Sequence, residues 1–249
     1  MDGEMGGNLP KLQFGAFSVT PDVRRIMDLE PVALFPEEVA GNNSPAYFMY
    51  RDLALNEAQR DVIHNHHLRY DITVIPPGTI GSELIKTSGH YHPDAGEGVS
   101  WPEMYQVLEG TAHYLCQRKE AGEVSDAVLI EARAGDITLI PPGYGHVTIN
   151  PTDQPLKMAN WVCGDFNSEY GDYVTKRGAA WLELSGGKWK PNANYGEVPE
   201  LRRVGTYDPE RLGLKLGEDM FELATRGDLD KLAFLVKPQN HLDAFEGVL

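Results

Sequence analysis

Between residues 46 and 162 the chain alternates short apolar runs with turn residues. Segments 46–50, 71–75, 82–87, 104–108, 112–117, 127–132, 136–140, 146–150 and 156–162 are rich in Ile, Val, Leu, Thr and aromatics. Such residues suit a pleated, half-buried surface and predict strands. Pro76-Pro77-Gly78, Glu109-Gly110, Ala134-Gly135 and Pro141-Pro142-Gly143 stand between them and supply turns. Many short strands at near-regular spacing predict a mainly β fold, a sandwich or jelly-roll barrel.

The pattern changes toward both ends. Thr20-Pro21-Asp22 predicts a helix start, residues 36–43 a weaker helix, and residues 56–67 a helix or a long connection. Residues 184–199, rich in Gly, Lys, Trp, Asn and Pro, read as an extended connector. Asp208-Pro209-Glu210 reads as an N-cap followed by Pro at the first helical position. Phe221, Leu223, Leu229, Leu232, Phe234, Leu235 and Val236 suggest short helical packing segments stopped by Pro238. The expected organisation is an N-terminal extension over 1–45, a barrel over 46–183 and a C-terminal extension over 184–249 that covers the barrel or a subunit interface.

Composition narrows the function. A 249-residue chain with 41% apolar residues holds one medium domain with extensions. Its net charge of -15, from 37 acidic and 22 basic residues, argues against nucleic-acid or anionic-membrane partners. Any anionic substrate must then be held by local donors. Two cysteines, Cys116 and Cys163, give no disulfide framework and predict a reducing cytoplasm. Residues 1–10 lack a secretory pattern, and no run approaches the roughly 20 apolar residues of a membrane helix.

Candidate chemistry centres on His90-Tyr91-His92, Glu103 and His146. Strand alternation places His90 and His92 on one face and Tyr91 on the other. Three imidazoles and a carboxylate suit one divalent transition ion, whether iron, manganese, nickel or zinc. The run G-D-I-T-L-I-P-P-G-Y-G-H-V-T-I-N from Gly135 to Asn150 resembles the second cupin motif, G-x5-P-x-G-x2-H-x3-N. The first cupin motif is present as His90-x-His92, although Leu84 stands where that motif has Gly. Glu97 lies at the usual cupin distance from His92, but of the two only Glu103 is followed seven residues later by a glycine, Gly110, in E-x6-G. Glu103 is therefore taken as the ligand, with 94–101 as an enlarged loop. A lone histidine is most often a surface or satisfied core residue, and His64, His66, His67, His113 and His241 take that reading.

T-V-I-P-P-G (73–78), K-T-S-G-H-Y-H (86–92), E-M-Y-Q-V-L-E-G (103–110) and P-P-G-Y-G-H-V-T-I-N (141–150) together resemble the cupin-type glucose-6-phosphate isomerases of archaea and some bacteria. The likeness covers about residues 14–180. It implies a cupin jelly-roll with helical extensions, and an isomerase interconverting glucose 6-phosphate and fructose 6-phosphate in glycolysis and gluconeogenesis. It further implies metal ligands His90, His92, Glu103 and His146, with Glu103 also the catalytic base, and a phosphate held by Thr73, Thr87, Gly89 and Tyr105. Hydroxyls and a close-approaching glycine N–H can give several hydrogen bonds to phosphate oxygens. Tyr170 keeps a further substrate position.

Two family positions differ. Val162 stands at a tyrosine position, and Ser168 stands where the family has a histidine that could open the sugar ring. Ring opening would then use Glu97 or Glu169, or proceed in solution. Strict alternation separates Lys86 from Thr87 unless the chain bends at Gly89. Proton transfer through Glu103 and direct hydride shift both remain open. So do two other classes: another metal cupin enzyme (phosphomannose isomerase, dioxygenase or decarboxylase) and a non-catalytic sugar-binding cupin. A closed homodimer is the expected assembly.

Overall fold

A computed structural model of the chain describes residues 9–249, so most of the N-terminal segment read for a secretory pattern lies outside the described residues. Two main sheets share a core. The larger has the strand order Ile137–Ile140, Glu103–Glu109, Leu156–Cys163, Leu68–Ile75, Pro45–Tyr50, Asp22–Arg25. The smaller has the order Tyr144–Ile149, Thr111–Glu120, Glu123–Arg133, Leu201–Val204. Pairing is antiparallel except between Glu123–Arg133 and Leu201–Val204. A side sheet joins Lys188–Pro191, Trp181–Leu184, Glu83–Leu84 and Thr79–Ile80.

The turn residues move the chain from one main sheet to the other. At Gly110 the backbone has φ +84°, and a Cβ there would lie 2.7 Å from the Pro155 carbonyl oxygen. Pro141 and Pro142 bring no N–H to a ladder, which ends the strand Ile137–Ile140 and frees the chain to enter Tyr144–Ile149 in the smaller sheet. The expected jelly-roll forms, but its sheets keep separate edges and do not close into a barrel.

Most expected strands form, several of them longer than expected. Of the segment 82–87 only the two-residue strand Glu83–Leu84 forms, paired with the preceding strand Thr79–Ile80. The helix expected from Thr20-Pro21-Asp22 is replaced by the strand Asp22–Arg25, which pairs with Pro45–Tyr50. Cross-strand pairing there outweighs the local N-cap signal, and a 3-10 helix follows over Ile26–Val32. Residues 36–43 give only the 3-10 turn Pro36–Glu38. The helix Glu57–Asn65 forms with Asn56 as N-cap, its side chain accepting the Gln59 N–H at 3.0 Å. The expected connector over 184–199 holds the second strand of the hairpin Trp181–Leu184/Lys188–Pro191. Asp208 caps a 3-10 turn, Pro209–Leu212, and the tail then folds into short helices including Glu222–Thr225 and Ala233–Val236.

Alternation gives the larger sheet two different faces. Tyr47, Ile75, Tyr105, Val107 and Met158 face inward to a core shared with Tyr114, Cys116, Val128 and Val147 of the smaller sheet. Tyr70, Ile72, Met104, Ala159 and Trp161 face outward and are covered by Met220, Phe221, Leu232 and Leu235 of the tail. Both cysteines are buried and free. Among the described residues no helix is long and apolar enough to cross a membrane.

Candidate active site

Two neighbouring segments and one strand bring the four predicted ligands together. His90 and His146 exchange backbone hydrogen bonds, His90 N–H to His146 O at 3.2 Å and His146 N–H to His90 O at 3.0 Å. That pairing sets their side chains side by side. His92 follows on the same face, and Glu103 enters as the first residue of the strand Glu103–Glu109 in the opposite sheet. One donor atom from each of the four lies within 4.8 Å of the others. The Nε2 atoms of His92, His146 and His90 stand 3.3, 3.3 and 3.8 Å from Glu103 Oε2. Nε2 atoms of His90 and His92 are 3.0 Å apart.

The surroundings orient these rings. His92 Nδ1 lies 2.9 Å from the Trp101 carbonyl oxygen, to which it donates, so the Nε2 lone pair is directed at the cluster. Phe166 packs on the His92 ring at 4.6 Å and stacks on Trp101 at 4.9 Å. Burial, then the neighbouring His146, pushes His90 down to about 3. Burial also lowers His146. For Glu103 burial works the other way, but hydrogen bonds from His146 and then His90 hold the carboxyl well below its usual range. Neutral imidazoles around an ionised carboxylate form the donor set that a divalent transition ion requires.

Every predicted substrate residue lines the cavity beside this cluster. Thr73, Thr87, Gly89, Tyr105 and Tyr170 all contribute, with Tyr47, Ser88, Asn160 and Arg69. Gly89 has φ +75°, and a Cβ there would meet the Tyr173 ring and Val147 at 2.5 Å. This bend resolves the parity of the segment. Thr87 and His90 reach one cavity, while Lys86 is buried in an ion pair with Glu83 and stays away from it. Thr87 Oγ1 accepts the Thr148 N–H at 3.0 Å, leaving its own proton to donate. The Tyr105 hydroxyl is 2.9 Å from His146 Nε2, at the metal-binding end. Tyr170 stands at the mouth, its ring 5.5 Å from that of His90.

Other sequence candidates fall outside. Glu97 is exposed at the turn of a small hairpin, Asp94–Gly96 with Val99–Ser100, so the enlarged loop is itself folded. Glu169 is exposed, and its backbone pairs with that of Tyr91. Neither lines the cavity, whereas Val162 and Ser168 do. His64, His66, His67 and His113 are paired with Asp52, Asp230, Asp165 and Glu183. The polar wall of Arg51, Arg69, Asp71 and Asn160 was missed. Its signal was available in alternation, since Arg69, Asp71 and Thr73 share one face of a strand.

Comparison with known proteins agrees with this geometry. A glucose-6-phosphate isomerase from Thermococcus litoralis is 28% identical over 157 residues, covering 62% of this chain and 75% of the relative. One from Thermococcus onnurineus is 28% identical over 172 residues, covering 68% and 82%. Among solved structures, an oxalate oxidase in complex with glycolate aligns at 17% identity and a TM-score of 0.36 over 49% of this chain and 51% of its own, a likeness too partial to argue from. The glucose-6-phosphate isomerase (GPI) family model matches residues 23–200, a span that includes every residue of the His/Glu cluster and both main sheets apart from Asp22 and the edge strand Leu201–Val204, and the chain belongs to that family.

Proposed function

We propose that this chain interconverts glucose 6-phosphate and fructose 6-phosphate with one divalent transition ion per subunit, held by His90, His92, Glu103 and His146. The observation that carries this reading is the junction of two chemistries in one cavity. The four-donor cluster converges at one end, and Thr73, Thr87 and the Gly89 backbone line the same space. The family and the named relatives support the sugar phosphate as substrate. The ion, held by these four residues, would supply Lewis-acid stabilisation of the negative charge that develops on the substrate.

The chain's own groups supply the rest. Thr73 and Thr87 donate hydroxyls and Gly89 an N–H to the phosphate, which fixes the far end of the substrate. Tyr105 places a hydroxyl between phosphate and cluster. Glu103 takes the proton from C2 of glucose 6-phosphate and returns it to C1, while the O2 hydroxyl proton passes to O1, so that the C1 aldehyde becomes a hydroxymethyl and C2 the carbonyl. All three imidazole contacts fall on its Oε2, which leaves Oε1 for proton transfer. We place the native protein in the cytoplasm, a reading supported by the two free cysteines, and take a homodimer as its assembly on the general frequency of closed two-fold oligomers.

A coupled assay on fructose 6-phosphate, after chelation and after re-addition of Fe2+, Mn2+, Ni2+ or Zn2+, tests the proposal. Chelation should abolish turnover and at least one ion should restore it. Full activity in exhaustively metal-free protein, or no isomerisation with any of these ions, would overturn it.

A further inference from the structure

One wall of the cavity carries charge that the reaction outlined above does not use. In the larger sheet Glu103 lies opposite Val162, and Val162 lies opposite Arg69, so the three form one cross-strand row. The next row is Tyr105, Asn160 and Asp71. All six side chains line the same cavity. Glu103 and Arg69 thus sit two strands apart, about 10 Å between backbones at the usual spacing. The only side chain between them is a valine, which is too short to fill the gap and has no polar atom.

Arg69 is built into this wall. Its Nε donates to Asp71 at 2.9 and 3.0 Å, and its Nη2 lies 2.9 Å from Asp71 Oδ2. Asp71 is buried and further fixed by the Asp52 N–H at 2.9 Å and by Arg51 Nη1 at 3.3 Å. The carboxylate therefore holds one edge of the guanidinium. Among the described residues Nη1 has no hydrogen-bond partner, so two N–H donors remain on a group held in a lined cavity. Arg51 differs. Its Nε is engaged by Asp22, its Nη1 by Asp71 and its Nη2 by the Met49 sulfur.

We infer that Arg69, positioned by Asp71, contacts the reacting half of the sugar and donates Nη1–H to an oxygen that becomes negative during isomerisation. The inference rests on the isomerase reading above. A guanidinium cannot act as the acid at neutral pH, but it is a permanent fork of donors suited to an oxyanion. In a chain of net charge -15, a fixed cation one valine away from the proposed base is a local exception to the overall field. Fixed donors aimed at developing charge act in the transition state more than in the ground state.

The test uses the metal-loaded full-length protein, with kcat, KM, metal content and the affinity of two inhibitors measured together. Arabinonate 5-phosphate carries a carboxylate where the enediolate would form, and sorbitol 6-phosphate is a neutral polyol there. Arg69→Met should lower kcat about 10- to 150-fold and weaken arabinonate 5-phosphate by a similar factor, the range for one lost hydrogen bond to a charged group. KM, metal content and sorbitol 6-phosphate affinity should move by no more than about twofold. Arg69→Lys keeps a cation against Asp71, and with it the fold, but one ammonium cannot hold Asp71 and reach substrate as the fork does. It should lose most of the same factor. Parental kcat and arabinonate 5-phosphate affinity in Arg69→Lys, or equal weakening of both inhibitors, would overturn the inference. Turnover by the parent tests the isomerase reading separately, because that outcome does not depend on Arg69.

Discussion

The two faces of the larger sheet are made from the same strands, and they have little else in common. Along Leu156–Cys163 the inward residues Met158, Asn160 and Val162 line the cavity, and the outward residues Ala159 and Trp161 are sealed under the tail. On the outer face Trp161 stacks parallel to Phe221, 5.9 Å between centroids at 6° between planes, and Tyr70 packs 4.7 Å from Phe221. Gln106 ties the same tail down by accepting the Met220 N–H at 2.8 Å and donating to Glu218 O at 2.7 Å. The inner face shares an apolar core with the smaller sheet, but around the cavity it carries charged and hydroxylic groups that gain little from burial. The outer face is apolar under the tail, and its packing helps hold those polar groups in fixed positions.

That contrast is broken most severely at Glu103. Glu103→Gln removes both the proposed base and a metal-binding oxygen but little apolar area. Turnover of fructose 6-phosphate should fall by about 10²- to 10⁴-fold, with the thermal midpoint changed far less than by an outer-face truncation. A Glu103→Gln protein with near-parental kcat would remove Glu103 from the chemistry. Glu97→Gln, on the exposed hairpin, should keep parental metal content and activity.

The outer face should fail in the opposite sense. Trp161→Ala removes a fully buried indole and its 3.3 Å donation to the Met220 carbonyl. The expected loss is about 3–5 kcal/mol of stability, read by denaturant unfolding. Activity per folded molecule should remain close to parental at low temperature. Lost metal and activity in a Trp161→Ala protein that still unfolds at the parental midpoint would show that the faces are coupled rather than separable.

How much of this was legible depended on whether the signal was local. The His/Glu set and most strands follow from alternation, turn chemistry and motif spacing. Asp22–Arg25 did not, because its identity as a strand comes from pairing with Pro45–Tyr50. Leu201–Val204 was hidden for the same reason, since it joins the smaller sheet by a parallel pairing that no local pattern announces. Lys86 was ambiguous because the bend at Gly89 decides parity, and its partner Glu83 could not be assigned from spacing alone. The wall of Arg69 and Asp71 was readable as alternation, but charged residues in a strand more often mark a solvated face.

A smaller effect sharpens the inner face itself. Thr87→Val keeps the β-branched shape and removes only the hydroxyl. If that hydroxyl donates to the phosphate, KM for fructose 6-phosphate should rise by about 10- to 150-fold, with metal content unchanged. The Thr148 N–H would also lose its acceptor, so the thermal midpoint must be measured alongside. An unchanged KM would move the phosphate away from Thr87.

The smallest expected effect is the response of metal affinity to mild acid. Protons compete with a metal only at groups that bind them. An unfolded imidazole titrates near 6.5, so two unperturbed ligands would cost roughly a hundredfold in affinity between pH 7.5 and 5.5. Burial lowers His90 to about 3, so it remains neutral across that range, and burial lowers His146 in the same direction. Glu103 is held low and stays ionised. Chelator competition should therefore show a loss well short of a hundredfold over those two pH units. The same shifts set the stability of the metal-free protein. The unfolded chain takes up protons below about 6.5 that the folded chain refuses, so stability should be flat above that pH and fall as pH drops toward 3. A hundredfold loss of metal affinity by pH 5.5, with the fold intact, would mean that the imidazoles titrate as free groups and that the inner face is wetter than its packing implies.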